Sequence, residues 1–435
     1  MSQKEKKTPR FLIQTLGCKV NQYDSERIRS RLLRRGYQSL LSQDDASPDL
    51  IIVNTCSVTA ESDRKGRQMI RKLIRRHPHA RVMVTGCYSE RKPKEIERIE
   101  GVSEIVAIQD QENWVDRISE EMGWGCEDQD ALWAPEQGIE LFEEHTRAFV
   151  KIQDGCDLRC AFCSIPQSRG RARSRPLDEI RDECLQLVRC GYPEIVLCGI
   201  CIGHYGRGLS LGLPDLVRTV AQIEGVKRVR ISSLEPQHAD DALFDVMEER
   251  GDVICPHLHL PLQSGSNKIL RRMRRPYTMD YFLERVQTAR ERLPDYELST
   301  DIMTGFPGET DEDFECSLEA VRQCQFNKVH SFRYSMRENT SALRMQDHLP
   351  PQIIDERRRE LDRLADETAD RVKSKYIGRI LEILAETSDH ANAAGFTKNY
   401  LRTDFRSAAP VPPGTLLPVH IEGLRNGRLT GRALE

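Results

Sequence analysis

Residues 154–166 read DGCDLRCAFCSIP and place Cys156, Cys160 and Cys163 in a C-x3-C-x2-C pattern. The stretch follows a short apolar run, 149–153, that reads as a strand. Polar Asp157 and Arg159 stand between the cysteines, which marks a loop rather than core. Three thiolates within eight residues can grip one iron–sulfur cube. Three ligands leave one iron open, and an open iron can chelate a small molecule. A zinc site usually takes a fourth Cys or His nearby. Three buried cysteines on a turn are the other reading.

Working outward, residues 148–335 alternate apolar runs with helical patterns. Strands are expected at 149–153, 194–198, 228–232, 257–262, 297–303 and 329–334, with helices at 177–189, 214–223, 240–250, 279–292 and 311–324. Six strands with five crossovers predict a partial barrel, short of the full eight, with its chemistry at the C-terminal strand ends. The cysteine loop lies at such an end. A long charged helix is expected over 352–373.

A second βα series precedes it. Apolar runs 11–16, 50–54 and 82–85 alternate with helical patterns 24–35 and 63–76, which implies an open parallel sheet. Cys18, Cys56 and Cys87 each end one of these strands. Strand C-termini of an open parallel sheet line one crest, so three cysteines there can converge on a second cluster. Singly, each reads as an ordinary buried cysteine. Past residue 376, short runs at 380–384, 399–403 and 416–421 between Gly, Pro and Asn predict a small antiparallel barrel.

The fold class is thus α/β with a C-terminal β-barrel. The expected domains are 9–120, an acidic linker at 121–147, a core at 148–373 and a barrel domain at 374–435. Hydrophobic residues make up 38% of the 435, enough for packed cores. The N-terminal MSQKEKKTPR leads into only a short apolar run, so no signal peptide is expected, and no apolar stretch approaches a membrane span. A cytoplasmic location with reduced thiols follows, in which 14 cysteines mean ligands, catalytic groups or core. Cys198 and Cys201 form a C-x-x-C without a partner pair and stay unassigned.

With these motifs in place, the chain resembles the radical S-adenosylmethionine methylthiotransferases. CDLRCAFC is similar to the radical signature; TLGCKVNQYDSE, NTCSVT and VTGCY are similar to the family's N-terminal domain. RISSLEP, HLHLPLQSGS, TDIMTGFPGET and GFTKNYLR extend the likeness over nearly the whole chain. Cys198 and Cys201 stand where a hydroxyl or amide residue is more usual, and Asn339 where Gly is usual.

The resemblance implies two [4Fe-4S] clusters. Cys156, Cys160 and Cys163 would hold the one that binds S-adenosylmethionine; Cys18, Cys56 and Cys87 would hold an auxiliary one. It implies a 5′-deoxyadenosyl radical that abstracts hydrogen from an adenine C2, a methylthio group delivered there, and a TRAM-like C-terminal barrel. TLGCKVNQYDSE resembles the branch that acts on N6-threonylcarbamoyladenosine beside the anticodon of tRNA. Isopentenyladenosine in tRNA and an aspartate of a ribosomal protein are the substrates of the other branches. An electron donor and a sulfur source are implied partners.

Supporting residues are expected at the other strand ends. Gly199, Glu235, Gln263, Ser264, Gly305 and Glu309 are candidates for contacts with S-adenosylmethionine, with helix caps and turns as the plainer reading. RNA binding is expected of Arg169, Arg171, Arg173 and Arg175, and of Lys398, Tyr400 and Arg402, whose mix of rings and cations suits unpaired bases. Residues 64–76 add seven Lys or Arg and no acid. The net charge is only −3, but 119–147 holds nine acids and one base, so the rest of the chain carries +5. A near-neutral total therefore conceals local surfaces fit for phosphate.

Overall fold

The computed structural model describes residues 8–41, 46–123, 139, 145–389 and 391–434. Most of the expected acidic linker, including Cys126, Trp124 and Trp133, lies outside the described residues. The chain gathers into two compact units. The first comprises residues up to 143 with Gly155–Asp157 and Ser164–Arg171; the second comprises Glu144–Asp154, Leu158–Cys163 and Ala172–Glu435.

In the first unit five strands form one sheet: β1 (Arg10–Thr15), β2 (Gln38–Leu40), β3 (Leu50–Thr55), β4 (Arg81–Gly86) and β5 (Glu104–Ile105). Their order is β2-β1-β3-β4-β5 and every pairing is parallel. The central β3 is buried at all six positions, as a strand covered on both faces must be. Phe11, Ile13, Leu50 and Ile52 pack on one side; Leu12, Ile51 and Val53 pack on the other. The helices are α1 (Lys19–Arg34), α2 (Ala60–Arg76), α3 (Cys87–Arg91), α4 (Pro93–Glu97), α5 (Gln111–Glu121) and α6 (Ile165–Arg169). Thr59 caps α2 by accepting from the Ser62 N–H, with Glu61 and Asp63 in the first turn and Arg75 and Arg76 in the last.

In the second unit β6 (Ala148–Asp154), β8 (Glu194–Gly199) and β9 (Arg228–Ile231) pair in parallel, as do β10 (His257–His259), β11 (Glu297–Thr304) and β12 (Lys328–Arg333). Parallel bridges from Val229 to Ile254 and from Ser233 to His259 link the two sets. The result is the expected partial barrel. Its edge carries a two-residue antiparallel strand, β7 (Arg173–Ser174), which the apolar pattern did not announce. Helices α7 (Leu177–Arg189), α8 (Leu213–Ala221), α9 (Asp241–Glu249), α10 (Asn267–Arg272), α11 (Met279–Arg292) and α12 (Asp311–Cys324) make the crossovers, and α13 (Pro351–Ser374) follows β12.

The C-terminal strands β13 (Ile380–Asp389), β14 (Asn392–Thr397), β15 (Arg402–Arg406), β16 (Leu416–Arg425) and β17 (Arg428–Ala433) close into a barrel. One point differs from the expected antiparallel barrel: β15 pairs with β17 in parallel. Strand direction cannot alternate all the way round a closed ring of five strands, so one seam runs parallel.

Candidate cluster sites

The first site is built at the C-terminal ends of β1, β3 and β4, three adjacent strands of the parallel sheet. Cys18 follows β1 and is the N-cap residue of α1; Cys56 follows β3; Cys87 opens α3 directly after β4. Gly17, at φ 128°, brings the backbone so near Cys56 that a Cβ there would lie 2.9 Å from the Cys56 Cβ. Gly86, at φ 97°, sits where a Cβ would lie 2.3 Å from the Thr55 carbonyl oxygen. Both turns therefore need glycine, and both set a cysteine at the crest.

Asn21, on the first turn of α1, holds the three ends together. Its Nδ2 donates to the carbonyls of Leu16 and Thr55, each at 3.0 Å. Its Oδ1 accepts from the Cys18 thiol at 3.7 Å and the Cys87 thiol at 3.9 Å. Asn54 in turn donates to the Asn21 carbonyl at 2.9 Å and to Ser25 Oγ at 3.0 Å. Sequence reasoning quoted Asn21 and Asn54 within motifs but gave them no role; buried amides beside strand-end cysteines were the available signal.

Burial pushes the Cys56 thiol up, and pushes Cys87 up to about 12 against the pull of the Arg169 guanidinium. Neutral thiols are thus favoured without a metal, and ligation requires thiolates, so binding iron here releases protons. Among the described residues no three His, Cys, Asp or Glu side chains are gathered tightly enough to hold a single metal ion. Two thiols on one amide oxygen, with Cys56 near enough to interact electrostatically with both, instead fit a larger body with several metal corners, and the donor set is one that iron–sulfur clusters use.

Arg169 is a correction. Expected on an RNA-facing surface, its side chain is fully buried. Nη1 pairs with Asp24 at 2.7 Å, Nη2 donates to Asn21 Oδ1 at 2.7 Å and Nε donates to Cys87 Sγ at 3.3 Å. A guanidinium so enclosed cannot reach a phosphate.

Of the C-x3-C-x2-C loop, Cys156 belongs to the first unit, where its N–H donates to the Gly170 carbonyl at 3.0 Å. Cys160 and Cys163 belong to the second. There the Ala161 N–H donates to the Met273 carbonyl and the Ala161 carbonyl accepts from Ala342, both at 2.9 Å. Ala161 packs with Ile269, Met273, Phe306, Tyr334 and Ala342, which anchors the loop on α10 and the chain after β11. Arg275 Nη1 donates to Cys160 Sγ at 3.3 Å. All three cysteines are half-buried.

The supporting residues divide. Gly199 ends β8 in register with Gln153, whose Oε1 accepts the Cys201 N–H at 2.8 Å. Glu235 is ion-paired with Arg275. Gln263, at φ 69°, joins the β11 backbone at Asp301 and Met303, and the Ser264 hydroxyl accepts the Ser266 N–H at 3.2 Å. Glu309 accepts the Gly305 N–H at 2.9 Å and pairs with Arg357 of α13 at 2.7 Å. Glu309 thus closes its own turn against α13.

Of the half-buried C-terminal residues expected on RNA, Tyr400 and Lys398 contact the βα part of the second unit and Arg402 stays on the barrel. Tyr400 stacks on Phe396 at 4.7 Å, tilts against His257 at 4.9 Å and lies 4.5 Å beneath the Arg230 guanidinium. Lys398 Nζ donates to the carbonyls of Gly251 and Asp252, at 2.7 and 2.5 Å. Arg402 lies over Phe396 and pairs with Glu386 at 3.8 Å. Tyr400 is half-buried and, with Phe396 and Arg402, lines a cavity of about 560 Å³, while Lys398 clasps the Gly251–Asp252 turn. The buried group behind them was not foreseen: Arg230 pairs with Glu194 at 2.6 Å, and Arg228 donates to the carbonyls of Phe396 and Glu382 at 3.1 and 2.7 Å. Arg175 pairs with Glu183 at 2.7 Å, while Arg171 and Arg173 are exposed.

Residues 150–321 match the family described as "Radical SAM superfamily", and residues 10–107 match "Uncharacterized protein family UPF0004". The chain is 39% identical to threonylcarbamoyladenosine tRNA methylthiotransferase MtaB of Bacillus subtilis, over 90% of this chain and 89% of that protein. It is 35% identical to the protein of the same name from Thermotoga maritima, over 90% of each. It is 33% identical to tRNA-2-methylthio-N(6)-dimethylallyladenosine synthase of Aquifex aeolicus, over 89% of this chain and 90% of that one. Among solved structures, the radical S-adenosylmethionine methyltransferase TsrM of Kitasatospora setae, with cobalamin and a [4Fe-4S] cluster bound, matches with a TM-score of 0.57 at 16% identity, covering 77% of each chain. That likeness is one of fold.

Proposed function

The chain belongs to the radical S-adenosylmethionine tRNA methylthiotransferase family, and from that premise we propose that it adds a methylthio group to C2 of N6-threonylcarbamoyladenosine in the anticodon loop of tRNA. The observation that carries this reading is the gathering of three strand-end cysteines: the Cys18 and Cys87 thiols share Asn21 Oδ1, and Cys56 lies close enough that Cys87 feels the charges of both Cys18 and Cys56. When bound, the two clusters would supply electrons for cleavage of S-adenosylmethionine and a site for the sulfur that is transferred.

The chain's own residues hold, orient and shield. Cys156, Cys160 and Cys163 would ligate the first cluster, and Cys18, Cys56 and Cys87 the auxiliary one. Asn21 fixes the spread of the auxiliary thiols by tying the end of β1 to the end of β3. Glu235, Gln263 and Ser264 would line the S-adenosylmethionine side, with Gly199 and Gly305 bounding it. Exposed Arg171 and Arg173, and the exposed cations of α2, would meet RNA phosphates. A loop adenosine is already unpaired, so it can be presented without melting a duplex. An electron donor and a sulfur source complete the set of partners. Among the described residues no helix is long and apolar enough to cross a membrane.

The test uses reconstituted full-length protein with S-adenosylmethionine, sulfide and a reductant. It is offered separately a tRNA bearing threonylcarbamoyladenosine and one bearing isopentenyladenosine. Digestion and mass spectrometry of the nucleosides should show the methylthio product from the first tRNA. Product from the second alone would move the protein to the other tRNA branch.

A further inference from the structure

Two buried arginines outside the ligand set stand in the same relation to the two cysteine groups. Arg169 donates Nε–H to Cys87 Sγ at 3.3 Å while Nη1 pairs with Asp24 at 2.7 Å. Arg275 donates from Nη1 to Cys160 Sγ at 3.3 Å while Nη2 pairs with Glu235 and Nε donates to the Tyr277 hydroxyl at 2.9 Å. Both side chains are almost without solvent contact, at 0% and 3% exposed. Packing alone does not call for this. A buried ion pair costs desolvation that apolar residues of similar size avoid, so two such pairs, each aimed at a cysteine sulfur, ask for another reason.

We propose that Arg169 and Arg275 are positioning residues that set reduction potentials: each holds an N–H and a fixed positive charge against one thiolate of its own cluster and raises that cluster's potential. The inference rests on the assignment of the six cysteines to two clusters. A cluster gains one negative charge on reduction. A neighbouring guanidinium, charged at every accessible pH, stabilises the reduced form more than the oxidised one, and an N–H to sulfur acts in the same direction. The carboxylates act in opposition. Asp24 offsets part of the Arg169 charge, so removing the Asp24 charge raises the potential that removing Arg169 lowers. The planar fork also gives direction: Arg169 reaches a thiol, an amide and a carboxylate at once, which a lysine cannot do.

The experiment is an EPR-monitored redox titration of the full-length, anaerobically reconstituted protein, with iron counted in every sample. Cys56→Ala and Cys163→Ala assign each signal to its cluster. Arg169→Gln should lower the potential of the auxiliary cluster and leave the other unmoved; Arg169→Lys should fall between it and wild type; Asp24→Asn should raise the auxiliary potential. Arg275→Lys and Arg275→Gln should lower only the potential of the Cys160 cluster. Unchanged potentials at full iron content, or equal shifts in both clusters, overturn the inference. So does loss of iron in both the Lys and Gln variants of one position, which would assign that arginine to assembly. A wild-type protein with a single reducible cluster overturns the ligand assignment itself, and that result is read before any variant.

Discussion

Asn21 uses both ends of its amide at once, donating to two strand-end carbonyls and accepting from the thiols of Cys18 and Cys87. Replacing it with alanine leaves buried carbonyls short of a partner, a loss of about 1–3 kcal/mol, and frees the β1 end from the β3 end. Asn21→Ala should therefore bind about half the iron of wild type, near four per chain instead of about eight, since the second cysteine loop does not depend on it. Iron analysis with the absorbance of the reconstituted protein checks this; a full complement would remove Asn21 from the site. The motif around Cys18 was readable, but the value of Asn21 was not. An asparagine three residues past a cysteine reads equally as a helix-surface residue until its partners, 34 residues away at Thr55, are placed beside it.

At the scale of elements, the turn from β4 into α3 decides where Cys87 points. Gly86 has φ 97°, and a Cβ there would press on the Thr55 backbone and on Asn54 Oδ1, at 2.3 and 2.4 Å. Gly86→Ala should cost more than about 1 kcal/mol from backbone strain alone. It should push β3 and β4 apart at their cysteine ends. We expect a lower urea midpoint and loss of the auxiliary cluster's EPR signal, with the signal of the Cys160 cluster retained; an unchanged midpoint would show that the crest tolerates a side chain. Elements of this kind were largely legible. The runs at 11–16, 50–54 and 82–85 match β1, β3 and β4 closely. Helix α1 was placed too late, at 24 instead of Lys19, because no Ser, Thr or Asp marks its start. Cys18 is its N-cap, and its side chain makes no capping bond. Periodicity alone finds the body of a helix and not its first turn.

Across the whole second unit, the C-terminal barrel is fastened to the core by buried polar groups. Tyr376 donates its hydroxyl proton to Glu297 at 2.8 Å and accepts from Asn399 at 2.9 Å. Burial pushes the Glu297 carboxyl from 4.5 up to about 7. A carboxyl raised in this way is favourable when protonated. Its folded state binds the proton more tightly than the unfolded chain, so stability falls as pH rises from about 4.5 to about 7 and is then level. The full swing is on the order of 3 kcal/mol. Glu297→Gln keeps a neutral partner at every pH. Relative to that variant, the wild type should lose stability between pH 5 and 7, read as urea midpoints over that range. Parallel curves for the two proteins would show that Glu297 is ionised throughout.

The sequence by itself determined the fold class, the six ligand candidates and the family. Those properties are carried by local spacing, by the alternation of strand and helix, and by cysteines placed at strand ends. It also located the basic segments, but it read Arg169 as an RNA contact where the side chain is buried, and it did not show the contacts that Lys398 and Tyr400 make within the second unit. A cation or a ring carries no mark of which way it faces. Only the tertiary structure decided that Arg169 lies against Cys87 and Asp24, that Tyr400 lies beneath Arg230, and that Glu194 and Glu297 sit inside the second unit. Burying a charge is worthwhile only where a distant residue supplies the partner, and the pairs here are separated by 145 positions for Arg169 and Asp24 and by 36 for Arg230 and Glu194.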